Sequence, residues 1–199
     1  MIFNGIKGNA DEISKLIKKG CVGVIPTDTL YGFSCSALDK NAVERIYKIK
    51  GRDESKPFII LISSLEDLSK FNIQLDLNTK EFLENIWPNK ISVILSCDED
   101  ALNYLHRGTK KIAFRLPKRS DLIELLKRTG PLISTSVNIH GQPAMTDITE
   151  IKTAFEDKTD FIVDEGNLVS EPTTLIKLTS EGAEVLRQGE FIVPEGVLK

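Results

Sequence analysis

Residues 22–62 read VGVIPTDTLYGFSCSALDKNAVERIYKIKGRDESKPFIILI, and the order of chemistry along this stretch decides the fold. Val22 to Ile25 is a short apolar run that reads as a strand. Pro26 ends it, because a fixed φ and a missing N–H suit neither a central ladder nor a helix interior. Thr27, Asp28, Thr29, Tyr31 and Gly32 then form a loop of small, hydroxylated and permissive residues at the strand's C-terminal end. In α/β sheets that edge is where ligands bind. From about Asp39, the residues Ala42, Val43, Ile46 and Ile49 recur at helical spacing. The helix ends in Lys48, Lys50, Gly51, Arg52 and Lys56, followed by Pro57 and a second apolar strand, Phe58 to Ile62. A strand, a polar loop, a helix and a basic turn before the next strand describe a pocket suited to a small anion.

The same alternation continues on both sides of this stretch. Asn9 or Asp11 caps a first helix with Ile13, Leu16 and Ile17 on one face and Gly20 as its stop. Helices are expected over Ser64 to Phe71, Leu75 to Trp87 (closed by Pro88), around Leu122 to Leu126, and from Thr146-Asp147 through Phe155. Strands are expected at Ile91 to Ser96, Ile112 to Leu116, Leu132-Ile133 running on into Ser134, Phe161 to Val163, Thr174 to Leu178 and Glu184 to Leu186. Without repeats or interior linkers, this order predicts one α/β domain over residues 1–199 around a mixed sheet.

Composition narrows the class. A chain of 199 residues, 41% hydrophobic and 28% charged, is an ordinary globular protein able to bury a core without staples. A net charge of −3 argues against nucleic-acid binding over the whole surface but not against a local basic cleft. Cys21, Cys35 and Cys97 are an odd count without a CxxC pair, so neither a disulfide framework nor a structural zinc is expected. The N-terminus lacks the apolar run of a signal peptide, and no stretch reaches the roughly 20 apolar residues that span a bilayer. The expectation is a cytoplasmic protein with no membrane partner.

Three basic groups lie on different loops: Lys50, Arg52 and Lys56; Arg107, Lys110, Lys111, Arg115, Lys118 and Arg119; and Arg187. Charge runs are usually solvated faces. Arg115, however, sits between Phe114 and Leu116 within a strand, so it must pair or face a cavity. Ser134-Thr135-Ser136-Val137-Asn138 follows a core strand and offers hydroxyls and an amide to an anion, although such a run also reads as a turn capping a helix. His106 and His140 are too few for a His-based metal centre and are placed on loops. Asp98-Glu99-Asp100 reads as a solvated turn, so no metal site is assigned. Phosphate loops, dinucleotide fingerprints and nucleophile elbows are missing. Cys35 reads as a small buried hydrophobe, and Trp87 as a core residue.

Taken together, these residues resemble the YrdC-type threonylcarbamoyl-AMP synthase family in its short, single-domain form. The resemblance rests on Pro26-Thr-Asp-Thr-Leu-Tyr-Gly32, Lys50-Gly-Arg52 with Lys56-Pro57, and Trp87-Pro88. It continues through Ala113-Phe-Arg115, Ser134-Thr-Ser-Val-Asn-Ile-His-Gly141, Thr173-Thr174 and Leu186-Arg-Gln-Gly189. It implies a twisted, open α/β sheet around a basic central cavity, with no additional C-terminal domain. The implied reaction makes L-threonylcarbamoyladenylate and pyrophosphate from L-threonine, bicarbonate and ATP, with Mg²⁺ carried on the nucleotide. The product would serve threonylcarbamoyladenosine formation in tRNA by a separate transferase complex, and a direct tRNA contact is possible.

Carried over position by position, Thr29, Arg115, Ser134 and Thr173 would hold threonine, while Arg52, Lys56, Ser136, Asn138 and Arg187 would hold ATP. Lys50 and Arg52 would be the catalytic pair. Leu61 stands where longer relatives have a histidine, Ala144 where many have a serine, and Asn89-Lys90 replaces Gly-Pro after Trp-Pro. Two rivals remain at this level. One is a non-catalytic module holding double-stranded RNA or tRNA in its basic cleft; the other is a carbamoyl-adenylate enzyme of hydrogenase maturation, which uses a related domain in a longer chain.

Overall fold

Phe58 to Ile62 carries no polar position because both of its faces are covered. In the computed structural model, which describes residues 1–53, 55–179 and 182–194, Phe58, Ile60 and Ile62 enter one apolar cluster and Leu61 enters another, with Ile59 packed against the second. The same alternation recurs at Val24 against Ile25, at Leu132 against Ile133, and through Phe161, Ile162 and Val163. Continuous apolar runs of this kind mark a sheet sandwiched between helices.

Among the described residues that sheet has ten strands: β1 (Ile2–Asn4), β2 (Gly23–Pro26), β3 (Tyr31–Ser34), β4 (Ile59–Leu61), β5 (Ile91–Ser96), β6 (Lys111–Arg115), β7 (Leu132–Ser136), β8 (Phe161–Asp164), β9 (Thr174–Thr179) and β10 (Gly182–Arg187). Their spatial order is β1-β8-β2-β3-β7-β4-β6-β5-β9-β10. Parallel pairs (β1/β8, β2/β8, β4/β6, β5/β9) are combined with antiparallel ones (β2/β3, β3/β7, β4/β7, β5/β6, β9/β10), so the sheet is mixed, as expected. Helices α1 (Ala10–Lys18) and α5 (Ser120–Thr129) cover one face through Ile13, Ile17, Leu122, Leu125 and Leu126. Helices α2 (Lys40–Lys50), α3 (Leu77–Ile86) and α6 (Ile148–Phe155) cover the other. A short α4 (Asn103–His106) precedes β6.

The helix starts follow from capping. Asp39, Asp76 and Asp147 each accept backbone N–H groups from the first turn of α2, α3 and α6. Gly51 closes α2 in the left-handed conformation, with φ 59°.

Several expectations shift. Tyr31-Gly-Phe-Ser34, read as part of a loop and its sequel, is the strand β3, which pairs with β2 through a turn at Thr27–Leu30. The short helix expected over Ser64 to Phe71 is present at Leu65–Phe71, as a 3-10 helix. The edge strand β1 and helix α4 carry too few residues for periodicity to reveal them. His106 is not a loop residue; it ends α4, buried, with Nε2 beside the Glu99 carbonyl. Cys35 and Trp87 lie in the core as read.

Candidate active site

β3 is antiparallel to both of its neighbours, and its pairing with β7 is brief: Gly32 with Ser136 and Phe33 with Thr135. A Cβ at Gly32 would lie 2.9 Å from the Ser134 hydroxyl, so glycine is what lets the two strands approach here. At this junction the β2–β3 turn, the α2–β4 loop and the ends of β6, β7 and β10 surround a cavity of about 250 Å³.

Its wall carries Thr27, Thr29, Ser134, Ser136 and Thr173 as hydroxyls and Arg52, Arg115 and Arg187 as cations. Seven of the residues expected to bind ligand therefore meet on one cavity: Thr29, Arg52, Arg115, Ser134, Ser136, Thr173 and Arg187. The remaining three do not face it. Lys56 is exposed on the turn before β4, within a segment whose Glu54 lies outside the described residues. Lys50 and Asn138 are buried behind the wall rather than part of it.

Arg115 ends β6 inside the protein, and both ways of tolerating a buried guanidinium are used. One Nη donates to Asp28 Oδ1 at 2.6 Å, the other to Thr29 Oγ1 at 3.3 Å. Asp28 also accepts the Lys118 backbone N–H through its second oxygen. Arg115 Nε is buried and has no partner among the described residues. Burial lowers the pKa of Arg115, Asp28 opposes that, and nearby Arg187 adds to it. A buried donor left unpaired beside a cavity is costly unless an oxygen from the cavity reaches it.

Lys50 is held differently. Its ammonium donates to the Ser136 carbonyl at 2.6 Å and to Asn138 Oδ1, with Ser136 Oγ at 3.3 Å and the Asn138 carbonyl at 3.4 Å. Three N–H donors thus face four neutral oxygens, and no carboxylate stands among them. Burial, with a contribution from Arg52, brings its pKa from 10.5 down to about 8. The Lys50 carbonyl also accepts the His140 N–H, so α2 and the loop after β7 are tied through both backbone and side chain. Ser136 Oγ and Asn138 Oδ1 stand 2.9 Å apart in the same knot.

Arg52 lies over the Phe58 ring and donates through Nε to the Lys56 carbonyl at 3.2 Å and through Nη2 to that of Pro57 at 3.3 Å. Arg187 reaches back from β10 to the Thr173 carbonyl, with Nη2 at 2.9 Å, and Thr173 Oγ1 pairs with the buried Ser92 hydroxyl. Gly189 makes that closure possible, since a Cβ there would fall 2.1 Å from the Pro172 carbonyl oxygen. Burial lowers both Arg52 and Arg187.

The basic run from Arg107 to Arg119 does not form one basic face. Arg107 pairs with Glu44, Arg119 with Asp121 and Glu165, and Lys110 lies 3.9 Å from Asp98. Of that run only Arg115 lines the cavity. Sequence reasoning assigned no role to Asp28; the signal available was a lone carboxylate within a loop otherwise suited to anions. Leu61 packs in the core, whereas Ala144 does line the cavity.

Residues 15–189 match the family model Sua5/YciO/YrdC, described as telomere recombination. The chain belongs to this family. Among its relatives, a threonylcarbamoyl-AMP synthase of Pyrococcus abyssi is 32% identical over 183 residues, which are 90% of this chain and 53% of that protein. The Escherichia coli protein YciO, called uncharacterized, is 32% identical over 182 residues, 90% of this chain and 88% of that one. The solved structure of P. abyssi Sua5 complexed with L-threonine superposes with a TM-score of 0.86 at 28% identity, covering 95% of this chain and 57% of the other. The chain thus spans about half the length of the synthases it matches, 53% and 52% in the Pyrococcus and Bacillus subtilis proteins. No described helix is long and apolar enough to cross a membrane.

Proposed function

We propose that the chain is an L-threonylcarbamoyladenylate synthase acting on L-threonine, bicarbonate and ATP. The observation that carries this reading is the charge balance of the cavity. Three arginines from three separate segments line it, its lining includes no carboxylate among the described residues, and Asp28 beside it is already paired to Arg115. Such a site favours several anions held close together, whose mutual repulsion fixed cations offset where water is scarce.

Arg115 Nε, Thr29 and Ser134 suit the amino acid's polar groups; Arg52, Ser136 and Arg187 suit the polyphosphate. The threonine amine adds to the bicarbonate carbon and water leaves, giving a carbamate. A carbamate oxygen then attacks the α-phosphorus, the bond from that phosphorus to the bridging oxygen breaks, and pyrophosphate departs. No protein nucleophile is required, so holding the carbamate in line with the α-phosphorus is the protein's main task. The cavity wall offers cations and hydroxyls rather than carboxylates, which fits an Mg²⁺ carried by the triphosphate. The adenylate would pass to a separate transferase that modifies tRNA.

Pyrophosphate release by the purified chain with ATP and Mg²⁺, omitting threonine or bicarbonate in turn, tests the reading. Release that requires both supports it; folded protein that releases none in any mixture rejects it. Salt-sensitive tRNA binding in that second case would favour the RNA-binding alternative. The pairing of Arg107 and Arg119 with carboxylates weakens that alternative at the outset.

A further inference from the structure

A stack of four side chains runs from the outer edge of α2 to the cavity. The Arg107 guanidinium lies 4.0 Å from the centroid of Tyr47, Tyr47 stacks on Phe58 at 4.0 Å and 29°, and Arg52 lies 5.2 Å from the far ring. Cation, ring, ring and cation therefore sit in one column, with the cavity arginine at its inner end. Tyr47 does more than fill space. Its hydroxyl donates to the Lys56 carbonyl at 3.0 Å, the same oxygen that accepts Arg52 Nε. Its own carbonyl accepts the Arg52 backbone N–H at 3.2 Å. Tyr47 thus touches the backbone of Arg52, shares the acceptor of its side chain, and stacks on the ring that carries its guanidinium.

The outer end of the column is built at some cost. Arg107 adopts a left-handed backbone, φ 51°, which non-glycine residues seldom occupy, and its Nε is buried without a partner among the described residues. Glu44 fixes its far side at 2.9 Å. A residue held this way serves its neighbour, and that neighbour is Tyr47.

We infer that Tyr47, clamped by Arg107, is a positioning residue: it fixes Arg52 at the cavity wall so that Nη1, the one side-chain nitrogen of Arg52 without a partner among the described residues, is left for an anion in the cavity. The anion at Nη1 is a nucleoside triphosphate only insofar as the proposed synthase reading holds; the restraint on Arg52 is a property of the fold and can be measured without ligand.

Two readouts on Tyr47→Phe, which keeps the ring and removes only the hydroxyl, test the inference. Trypsin cleavage at Arg52–Asp53 in the native protein should become roughly threefold to tenfold faster relative to cleavage after the exposed Lys19, the scale expected for losing one hydrogen bond. A non-hydrolysable ATP analogue should bind more weakly by a similar factor, with L-threonine affinity unchanged. Arg107→Asn, which tolerates the left-handed backbone, should move both readouts in the same direction by less. Unchanged relative cleavage in both variants would overturn the inference, as would equal weakening of nucleotide and threonine. If the wild-type chain binds no nucleotide, the synthase reading fails, and the cleavage ratio alone still decides whether Tyr47 positions Arg52.

Discussion

Two cations are buried at this cavity, and they are held in opposite ways. Arg115 has a carboxylate: Asp28 sits 2.6 Å away, and both side chains are about 95% hidden, at 4% and 5% exposure. Lys50 has none, and only carbonyl, hydroxyl and amide oxygens surround its ammonium. The contrast separates two uses of buried charge. The charge of Arg115 is balanced within the fold, so the pair fixes the geometry of the side chain, and under the proposed function its Nε would serve the ligand. The charge of Lys50 is solvated by dipoles alone, so part of its field extends past Ser136 into the cavity, where an anion would complete it.

The sharpest way to break this comparison is at Asp28. Asp28→Ala leaves Arg115 buried without its counter-charge and should lower stability by about 3–5 kcal/mol in denaturant melts. The double variant Asp28→Leu with Arg115→Met should recover most of that loss while abolishing threonine binding. Loss of the same size in both would show that the pair is not what makes Asp28 matter.

Arg52→Ala should behave in the opposite manner. Arg52 is half-buried and held by two backbone carbonyls. Its removal should reduce pyrophosphate release about 10²–10³-fold while stability changes by less than about 1 kcal/mol. Comparable losses of activity and stability would assign it a structural role instead.

pH separates the two cations further. With a pKa of about 8 in the folded chain against 10.5 ordinarily, Lys50 is charged in both states below pH 8, where its burial costs stability. Between about 8 and 10.5 the folded state has released the proton and the unfolded state still binds it, so stability contributed by this group rises with pH across that window. Activity that depends on the ammonium falls across the same window. The difference between wild type and Lys50→Arg, which stays charged, isolates both trends in melts and in initial rates from pH 7 to 10. Parallel profiles for the two proteins would remove Lys50 from the mechanism.

The smallest effect is expected from giving Lys50 what Arg115 has. Asn138→Asp places a carboxylate on the ammonium but removes the amide N–H that Asn138 donates to the Gln142 carbonyl, and should change stability by no more than about 1 kcal/mol. It should also weaken nucleotide binding roughly threefold to tenfold, because part of the field at the cavity is cancelled. Unchanged nucleotide affinity would show that the charge of Lys50 does not reach the ligand.

The basic run shows where sequence reading stopped. Arg107, Lys110, Arg115 and Arg119 look alike along the chain, yet Glu44, Asp98, Asp28 and Glu165 arrive beside them from distant segments and give each a different task. Nothing local could have shown that Lys50 and Asn138 stand behind Ser136 rather than beside it, because their placement depends on how α2 docks against the end of β7. Tyr47 was hidden for a similar reason: it sits at a helical core position, and only its partners distinguish it from packing.

What the sequence determined by itself were the features that local chemistry dictates. The strand closing at Pro26, helix α2 between Asp39 and Gly51, the apolar run Phe58–Ile62 and the strand running from Leu132-Ile133 into Ser134 were all legible, since periodicity, capping and backbone restriction act over a few residues. The alternative reading of the Ser/Thr run as a turn fails, because Ser134, Thr135 and Ser136 complete β7 and pair with β4 and β3. The tertiary structure decided which charges are neutralised, which side chains reach the cavity and which only steady those that do. Those outcomes depend on distances across the sheet, where Coulomb interactions and hydrogen bonds couple residues that sequence spacing leaves unrelated.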